Sequence, residues 1–101
     1  MQVAFLESQV LAIDPGLAIT GICYGSSLEN LQVWCIKSKV EWGLPFRLMH
    51  LHDEIVKLVQ PLEIDLLVVE WPPFMMGRPG QSHVYAAAGA LIASLSGKVQ
   101  D

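Results

Sequence analysis

The sequence predicts an α/β fold in which helices cover the faces of a mixed sheet. Three β-rich segments separated by turn residues lie between residues 9 and 37. An amphipathic helical pattern, an apolar run of strand length and a second helical segment follow in that order. Three antiparallel strands followed by helix, strand and helix favour a mixed sheet. The chain has 101 residues, enough for one domain over residues 1–101 with one modest core.

The first three strands are marked by their breaks. After a short lead-in over residues 1–8, strand one runs from about Gln9 to Asp14 and ends at Pro15-Gly16. A second β-rich run covers 18–24, a turn cluster covers 25–30, and a third run covers 31–37. The tight connections predict an antiparallel meander.

A helix is predicted from Leu44 to just before Pro61. Its apolar residues recur at helical spacing, namely Leu44, Leu48, Leu51, Ile55, Leu58 and Val59. The opposite, polar face is predicted to carry Arg47, His50, Asp53, Glu54 and Lys57. His50 and His52 are two residues apart and point in different directions on a helix, so we interpret them as surface residues.

The apolar run 63–70 follows this helix and predicts a central strand, covered on both faces and parallel to its neighbour. Residues 71–80 form a loop rich in proline and apolar side chains. Ser82 is predicted to cap a second helix over about 83–96. The small residues at 86–90 give that helix a flat face for close packing, and residues 98–101 are typical of the start of another strand.

Composition limits the function classes. Hydrophobic residues make up 52% of the chain and charged residues 16%, and the formal net charge is −4. An acidic balance argues against a large DNA-binding surface but allows a local acidic metal site. No apolar run approaches the roughly 18 residues that span a bilayer, and we expect no signal peptide because no basic segment precedes an apolar one at the N-terminus. Cys23 and Cys35 are interpreted as buried free thiols in a reducing compartment, which predicts a cytoplasmic location. The lack of a membrane-spanning run predicts no membrane partner.

Two carboxylates end two predicted buried strands. Asp14 ends the first strand and Glu70 ends the fourth. If these strands are parallel neighbours, both side chains lie at the same sheet edge, where a cation between them relieves their repulsion. Oxygen ligands of this kind suit Mg²⁺ or Mn²⁺. The alternatives are that Asp14 is a turn residue bonding backbone N–H groups, and that Glu70 pairs with Arg47 or Arg78.

The segment 10–16, with Thr20-Gly21 after it, resembles the opening motif of the RuvC family of Holliday-junction resolvases. The strand ending at Glu70, the loop with Phe74-Met75 and the helix after it resemble the second acidic strand of that family and its following helix. The resemblance covers about residues 9–100 and is loose over 26–63.

The resemblance implies an RNase H-like fold and Mg²⁺-dependent endonuclease activity on branched DNA, with Mn²⁺ as a substitute metal. Asp14 and Glu70 match catalytic, metal-binding acids, and Phe74 matches an aromatic residue that contacts bases near the junction. The family also implies a homodimer whose interface includes the small-residue helix, here Ala86, Ala87, Gly89 and Ala90.

The chain departs from the family pattern at its C-terminal end. Two further acids on a helix, and a basic loop before that helix, have no match before Asp101. We therefore expect an RNase H-like domain that is truncated at its C-terminus. A catalytically incomplete module with a binding or structural role is the main alternative. An actin-like or sugar-kinase-type nucleotide binder is a third, because Asp14, Gly16 and Thr20 distantly resemble a phosphate loop.

The segment 74–78 and Thr20 each allow a functional and a purely structural interpretation. Phe74, Met75 and Met76 with Arg78 form either a DNA-contacting wedge or a loop that packs its own apolar residues. Thr20 either donates a hydrogen bond near the metal site or is an ordinary strand threonine.

Overall fold

The structure is a computed structural model that describes residues 8–70 and 81–98. The strands are β1 (Val10–Asp14), β2 (Ile19–Gly25), β3 (Gln32–Lys37) and β4 (Leu66–Val69). The helices are α1 (Gly43–Val59) and α2 (Gln81–Leu95), and 3₁₀ turns occupy Leu28–Asn30 and Val40–Trp42. The predicted order of elements is confirmed. The predicted lead-in, the 71–80 loop and most of the strand predicted from 98 lie outside the described residues.

The described strands form one sheet in the order β3-β2-β1-β4. β1 to β3 are the predicted antiparallel meander, and β4 pairs with β1 in parallel, as expected for a helical crossover. The prediction that β4 is central and covered on both faces is not met within residues 8–70 and 81–98. There β4 borders β1 alone, and Leu66 and Val68 are 53% and 47% exposed.

The core lies on one face of the sheet. Alternate strand residues, including Leu11, Ile13 and Ile22, point into one buried cluster. Both helices cover this face through the buried side chains of Leu51, Ile55, Val59, Ala87, Leu91 and Leu95. Helices on both faces were expected, but the two described helices occupy the same one. The opposite face, which we call the open face, exposes residues such as Val33 and Val68.

The open face also explains a wrong expectation about the cysteines. Both thiols are free, as predicted, but Cys23 is only half-buried and Cys35 is exposed. They lie on alternate positions that face away from the helices. Apolar runs on these strands therefore do not guarantee burial.

Helix α1 ends before Pro61 as predicted, but the prediction that Arg47 lies on its polar face is wrong. Arg47 is only 6% exposed. It precedes Leu51 and Ile55 at four-residue intervals and therefore lies on the same buried stripe. Its Nε donates a hydrogen bond to Ser38 Oγ at 2.9 Å, which satisfies part of the buried guanidinium.

The turn between β1 and β2 is held by side chains from two directions. Thr20 is fully buried, and its Oγ1 donates to the Gly16 carbonyl at 2.6 Å and accepts from the Gly16 N–H at 3.3 Å. A side chain at Gly16 would overlap the Ile19 carbonyl, so the turn needs glycine there. From the other side, Ser38 Oγ donates to the Leu17 carbonyl at 2.5 Å.

Among residues 8–70 and 81–98, neither helix is both long enough and apolar enough to span a membrane.

Replacing Ile55 tests the one-sided core. Ile55 is fully buried, so Ile55→Ala should lower the free energy of unfolding by about 2–5 kcal/mol. The matched control is Val56→Ala, one position along the helix and 39% exposed, which should cost less than about 1 kcal/mol. Urea unfolding of both variants measures the difference. Equal losses would contradict the orientation of α1.

Replacing Thr20 tests the turn. Thr20→Val keeps the side-chain shape but leaves the Gly16 N–H and carbonyl without their partner, at a cost of about 1–3 kcal/mol. Thr20→Ser loses a buried methyl group but keeps the hydroxyl. Amide hydrogen exchange should therefore show a protected Gly16 N–H in the serine variant and an unprotected one in the valine variant. Equal protection in both would contradict the assigned bonds.

Candidate metal centre

The pairing of β1 with β4 brings Asp14 and Glu70 to the same place. In this parallel register Val10 pairs with Leu66 and Ile13 with Val69, so Asp14 stands opposite Glu70 one step further on. The Glu70 N–H donates to the Ile13 carbonyl at 2.9 Å, which extends the pairing to this step. Neighbouring strands are about 4.8 Å apart, so the two backbones are adjacent.

The two carboxylates share the open face. Leu11 and Ile13 of β1 point into the core, so Ala12 and Asp14 point the other way. Directly paired residues of parallel strands lie on the same face, which places Glu70 beside Asp14. Both residues are exposed, so solvent reaches their carboxylates.

The space beside Asp14 is kept free by a glycine. The antiparallel register pairs Asp14 with Gly21, and Gly21 with Cys35 on the next strand. A Cβ built on Gly21 would lie 3.8 Å from the Asp14 Cβ, in ordinary contact with it. Since glycine has no side chain, no group from β2 covers the Asp14 carboxylate at this position.

A shallow depression of about 430 Å³ runs along the open face beside the carboxylates. Its lining is otherwise mainly apolar and includes Ala12, Cys23, Val33 and Val68, besides Asp14 and Glu70. Apolar walls strengthen the field of nearby charges because they displace water. The two carboxylates thus lie beside a mainly apolar surface.

The alternative roles considered for the two acids find no support in the described residues. The Gly16 N–H, which a turn aspartate would bond, is taken by Thr20 Oγ1. The Arg47 Nε is bonded to Ser38 instead of Glu70, and Arg78 lies outside the described residues. Within residues 8–70 and 81–98, neither Asp14 nor Glu70 forms an ion pair or a side-chain hydrogen bond.

Two adjacent carboxylates without a cationic partner repel each other, and a bound cation relieves that repulsion. Carboxylate oxygens fit Mg²⁺ or Mn²⁺, and Mg²⁺ keeps several waters when few protein ligands are available. In the described part of the chain, no cluster of three or more His, Cys, Asp or Glu side chains is arranged to hold a metal. The two carboxylates are hard oxygen donors, and a divalent cation held by them alone would keep most of its water ligands.

The other residues singled out from the sequence divide into three groups. The Thr20 hydroxyl lies close in sequence to Asp14 but is bonded to Gly16, so its role in the described structure is to hold the turn. Phe74, Met75, Met76 and Arg78 lie outside the described residues. Of the small residues predicted at a dimer interface, Ala87 is fully buried in the core of its own chain, Ala86 and Ala90 are half-buried, and Gly89 is exposed.

Sequence reasoning missed Arg47 and Ser38, which contact the turn that follows Asp14. The four-residue spacing of Arg47 from Leu51 and Ile55 was a usable signal, because it places the arginine on the buried stripe. Ser38 gave no such signal. Its contact with Leu17 is formed across 21 residues of sequence and depends on strand pairing.

Comparison with known proteins gives a clear result at the level of structure. No protein-family model matches the sequence. A structure of RuvC from Thermus thermophilus in complex with a Holliday junction substrate matches with a TM-score of 0.77 and 16% identity, covering 91% of this chain and 62% of that one. A second structure of Thermus thermophilus RuvC matches with a TM-score of 0.70 and 18% identity, covering 90% and 61%.

The chain thus spans about 62% of the length of the RuvC chain in the junction complex. The predicted fold class, a mixed sheet with helices, is confirmed, since the four-stranded mixed sheet and its helices match the RuvC structure over 91% of the chain with a TM-score of 0.77. The chain has the RNase H-like fold of these two RuvC structures.

Proposed function

We propose that this chain is a RuvC-type nuclease domain that uses Mg²⁺, with Mn²⁺ as a substitute, to hydrolyse branched DNA in recombination or repair. Asp14 and Glu70 are its catalytic metal ligands in this proposal. The observation that carries it is the parallel β1–β4 register, which with the Glu70–Ile13 hydrogen bond puts Asp14 and Glu70 at adjacent strand ends, on a face that no described helix covers. The fold shared with RuvC supports the same assignment.

The chain contributes position and charge to this chemistry. The Asp14 and Glu70 carboxylates would hold a divalent cation, and the chemistry that such a cation would supply is polarisation of a phosphodiester for attack by water. The Glu70 backbone is fixed by its hydrogen bond to Ile13, and Asp14 by strand pairing on one side and the tied turn on the other. Both side chains are exposed, so a DNA backbone can approach them.

The DNA contacts and the assembly are also proposals. One of the RuvC structures is a complex with a Holliday junction, which supports branched DNA as the ligand class. Phe74, Met75 and Arg78 lie in the segment after Glu70 and are proposed to contact DNA. A homodimer is proposed in which Ala86, Gly89 and Ala90 lie near the interface, while buried Ala87 supports α2 from within. We propose a cytoplasmic location for this assembly.

A second candidate is a catalytically incomplete module of the same fold with a binding or structural role. It is favoured by one observation, that Asp14 and Glu70 have no third acidic or histidine partner among the described residues. The nucleotide-binding alternative is not favoured. The Gly16 N–H that a phosphate loop would offer is already bonded to Thr20.

Metal binding tests whether Asp14 and Glu70 together hold the cation that the nuclease proposal requires. Mutating a residue that only orients a metal ligand lowers metal affinity roughly 10–100-fold. Replacing a ligand itself, as Asp14→Asn or Glu70→Gln does in this proposal, should therefore weaken Mn²⁺ binding at least about 10-fold. Isothermal titration calorimetry measures this directly. The matched control is Asp53→Asn, which removes the same charge from the exposed side of α1 and should leave the affinity unchanged. Equal effects of all three variants would contradict the assigned site.

Junction cleavage separates the two candidates. The purified chain is incubated with a synthetic four-way DNA junction and Mg²⁺ or Mn²⁺, and products are resolved on denaturing gels. The nuclease proposal expects cleavage by the wild type and by Asp53→Asn, and loss of cleavage in Asp14→Asn. If the wild type cuts no better than Asp14→Asn yet shifts the junction on a native gel, the binding module replaces the nuclease as the function of this chain.

A further inference from the structure

The guanidinium of Arg47 is buried, but it forms no ion pair with Asp14 or Glu70 that would account for its burial. Burying a charge is costly unless hydrogen bonds replace the lost water. Among residues 8–70 and 81–98, no carboxylate forms an ion pair with Arg47. Its Nε donates instead to a neutral hydroxyl, that of Ser38. Among the described residues, Arg47 is therefore buried as a hydrogen-bond donor and not as the partner of an acidic side chain.

The chemistry of the donors fixes the direction of this contact. A guanidinium donates and never accepts, so the Ser38 hydroxyl must accept from Arg47. The single proton of that hydroxyl is then free to donate, and it goes to the Leu17 carbonyl at 2.5 Å. A charged donor polarises the hydroxyl and strengthens the bond that the hydroxyl makes in turn.

The end point of this chain of hydrogen bonds is the turn that follows Asp14. Leu17 lies three residues after Asp14, and the Ser38 N–H also donates to the Ala18 carbonyl at 3.0 Å. Thr20 holds the same turn at Gly16. No described side chain holds the Asp14 carboxylate itself, so its position depends on the backbone that precedes and follows it.

We propose that Arg47 is a positioning residue for the Asp14 carboxylate, acting through Ser38 on the turn between β1 and β2. This inference rests on the proposed metal site, and it makes α1 part of that site although the helix lies on the opposite face of the sheet. A metal held by few protein ligands is sensitive to their placement, because ligands must stay within about 0.5 Å of the productive geometry. Fixing the turn reduces the motion of Asp14 relative to Glu70.

The test compares variants that remove the hydrogen bonds from Arg47 to Ser38 and from Ser38 to Leu17 with a variant that removes a similar hydrogen bond elsewhere. Ser38→Ala removes the hydroxyl, and Arg47→Met removes the donor while keeping an unbranched apolar stem. Ser38→Thr is the conservative variant that keeps the hydroxyl. The matched control is Ser94→Ala on α2, which removes another part-buried hydroxyl that donates to a backbone carbonyl, that of Ala90 at 2.6 Å.

Three measurements are made on each variant. Metal-free NMR records the hydrogen exchange of the Gly16 amide and the ¹³C signal of the Asp14 carboxyl group, and calorimetry records Mn²⁺ affinity. One net hydrogen bond corresponds to about 2–10-fold, so Ser38→Ala and Arg47→Met should speed Gly16 exchange and weaken Mn²⁺ binding by about that factor. Both should also shift the Asp14 signal. Ser38→Thr should resemble the wild type, and Ser94→Ala should change none of the three.

The outcomes separate this inference from the function on which it rests. A wild type that binds no Mn²⁺ overturns the proposed metal site, while the Asp14 signal and the Gly16 exchange still decide the positioning role. If Ser38→Ala affects these two no more than Ser94→Ala does, the positioning role is wrong. It is equally wrong if the turn loosens while the wild-type Mn²⁺ affinity is retained. Should Arg47→Met fail to fold, the serine variants give the same decision.

Discussion

The parallel pairing of β1 with β4 is the constraint on which the candidate site depends. The register from Val10–Leu66 to Ile13–Val69 leaves no freedom for the residues that follow, because the backbone pairing continues to Glu70. Two carboxylates that are 56 residues apart in sequence therefore become neighbours. A slip of one residue would put one of them on the opposite face of the sheet, since side chains alternate along a strand.

One-sided packing gives this pair its surroundings. The core cluster takes the alternate residues of β1 to β3 and both described helices, and so concentrates burial on a single face. The open face keeps the carboxylates accessible and surrounds them with apolar residues such as Ala12 and Val68. The same division explains the exposure of Cys35 and Leu66, which lie in β-rich segments but point away from the helices.

The turn after Asp14 connects the two faces. Thr20 from β2 and Ser38 from beyond β3 both bond its backbone, and Ser38 is in contact with Arg47 of α1. Arg47, which lies on the helix side of the sheet, is thereby connected through Ser38 to the turn that follows Asp14. A buried arginine in this place is costly as a charge but specific as a donor, because its planar group can only donate in fixed directions.

The sequence by itself determined the order of the elements, the antiparallel meander and the placement of Asp14 and Glu70 at strand ends. These features depend on local periodicity and on breaks such as Pro15-Gly16, which residues close in sequence express. It could not determine that both described helices share one face, that β4 borders β1 alone within the described sheet, or that Arg47 is buried against Ser38. Strand register and helix packing decide these, since they join residues distant in sequence whose contact no local pattern encodes.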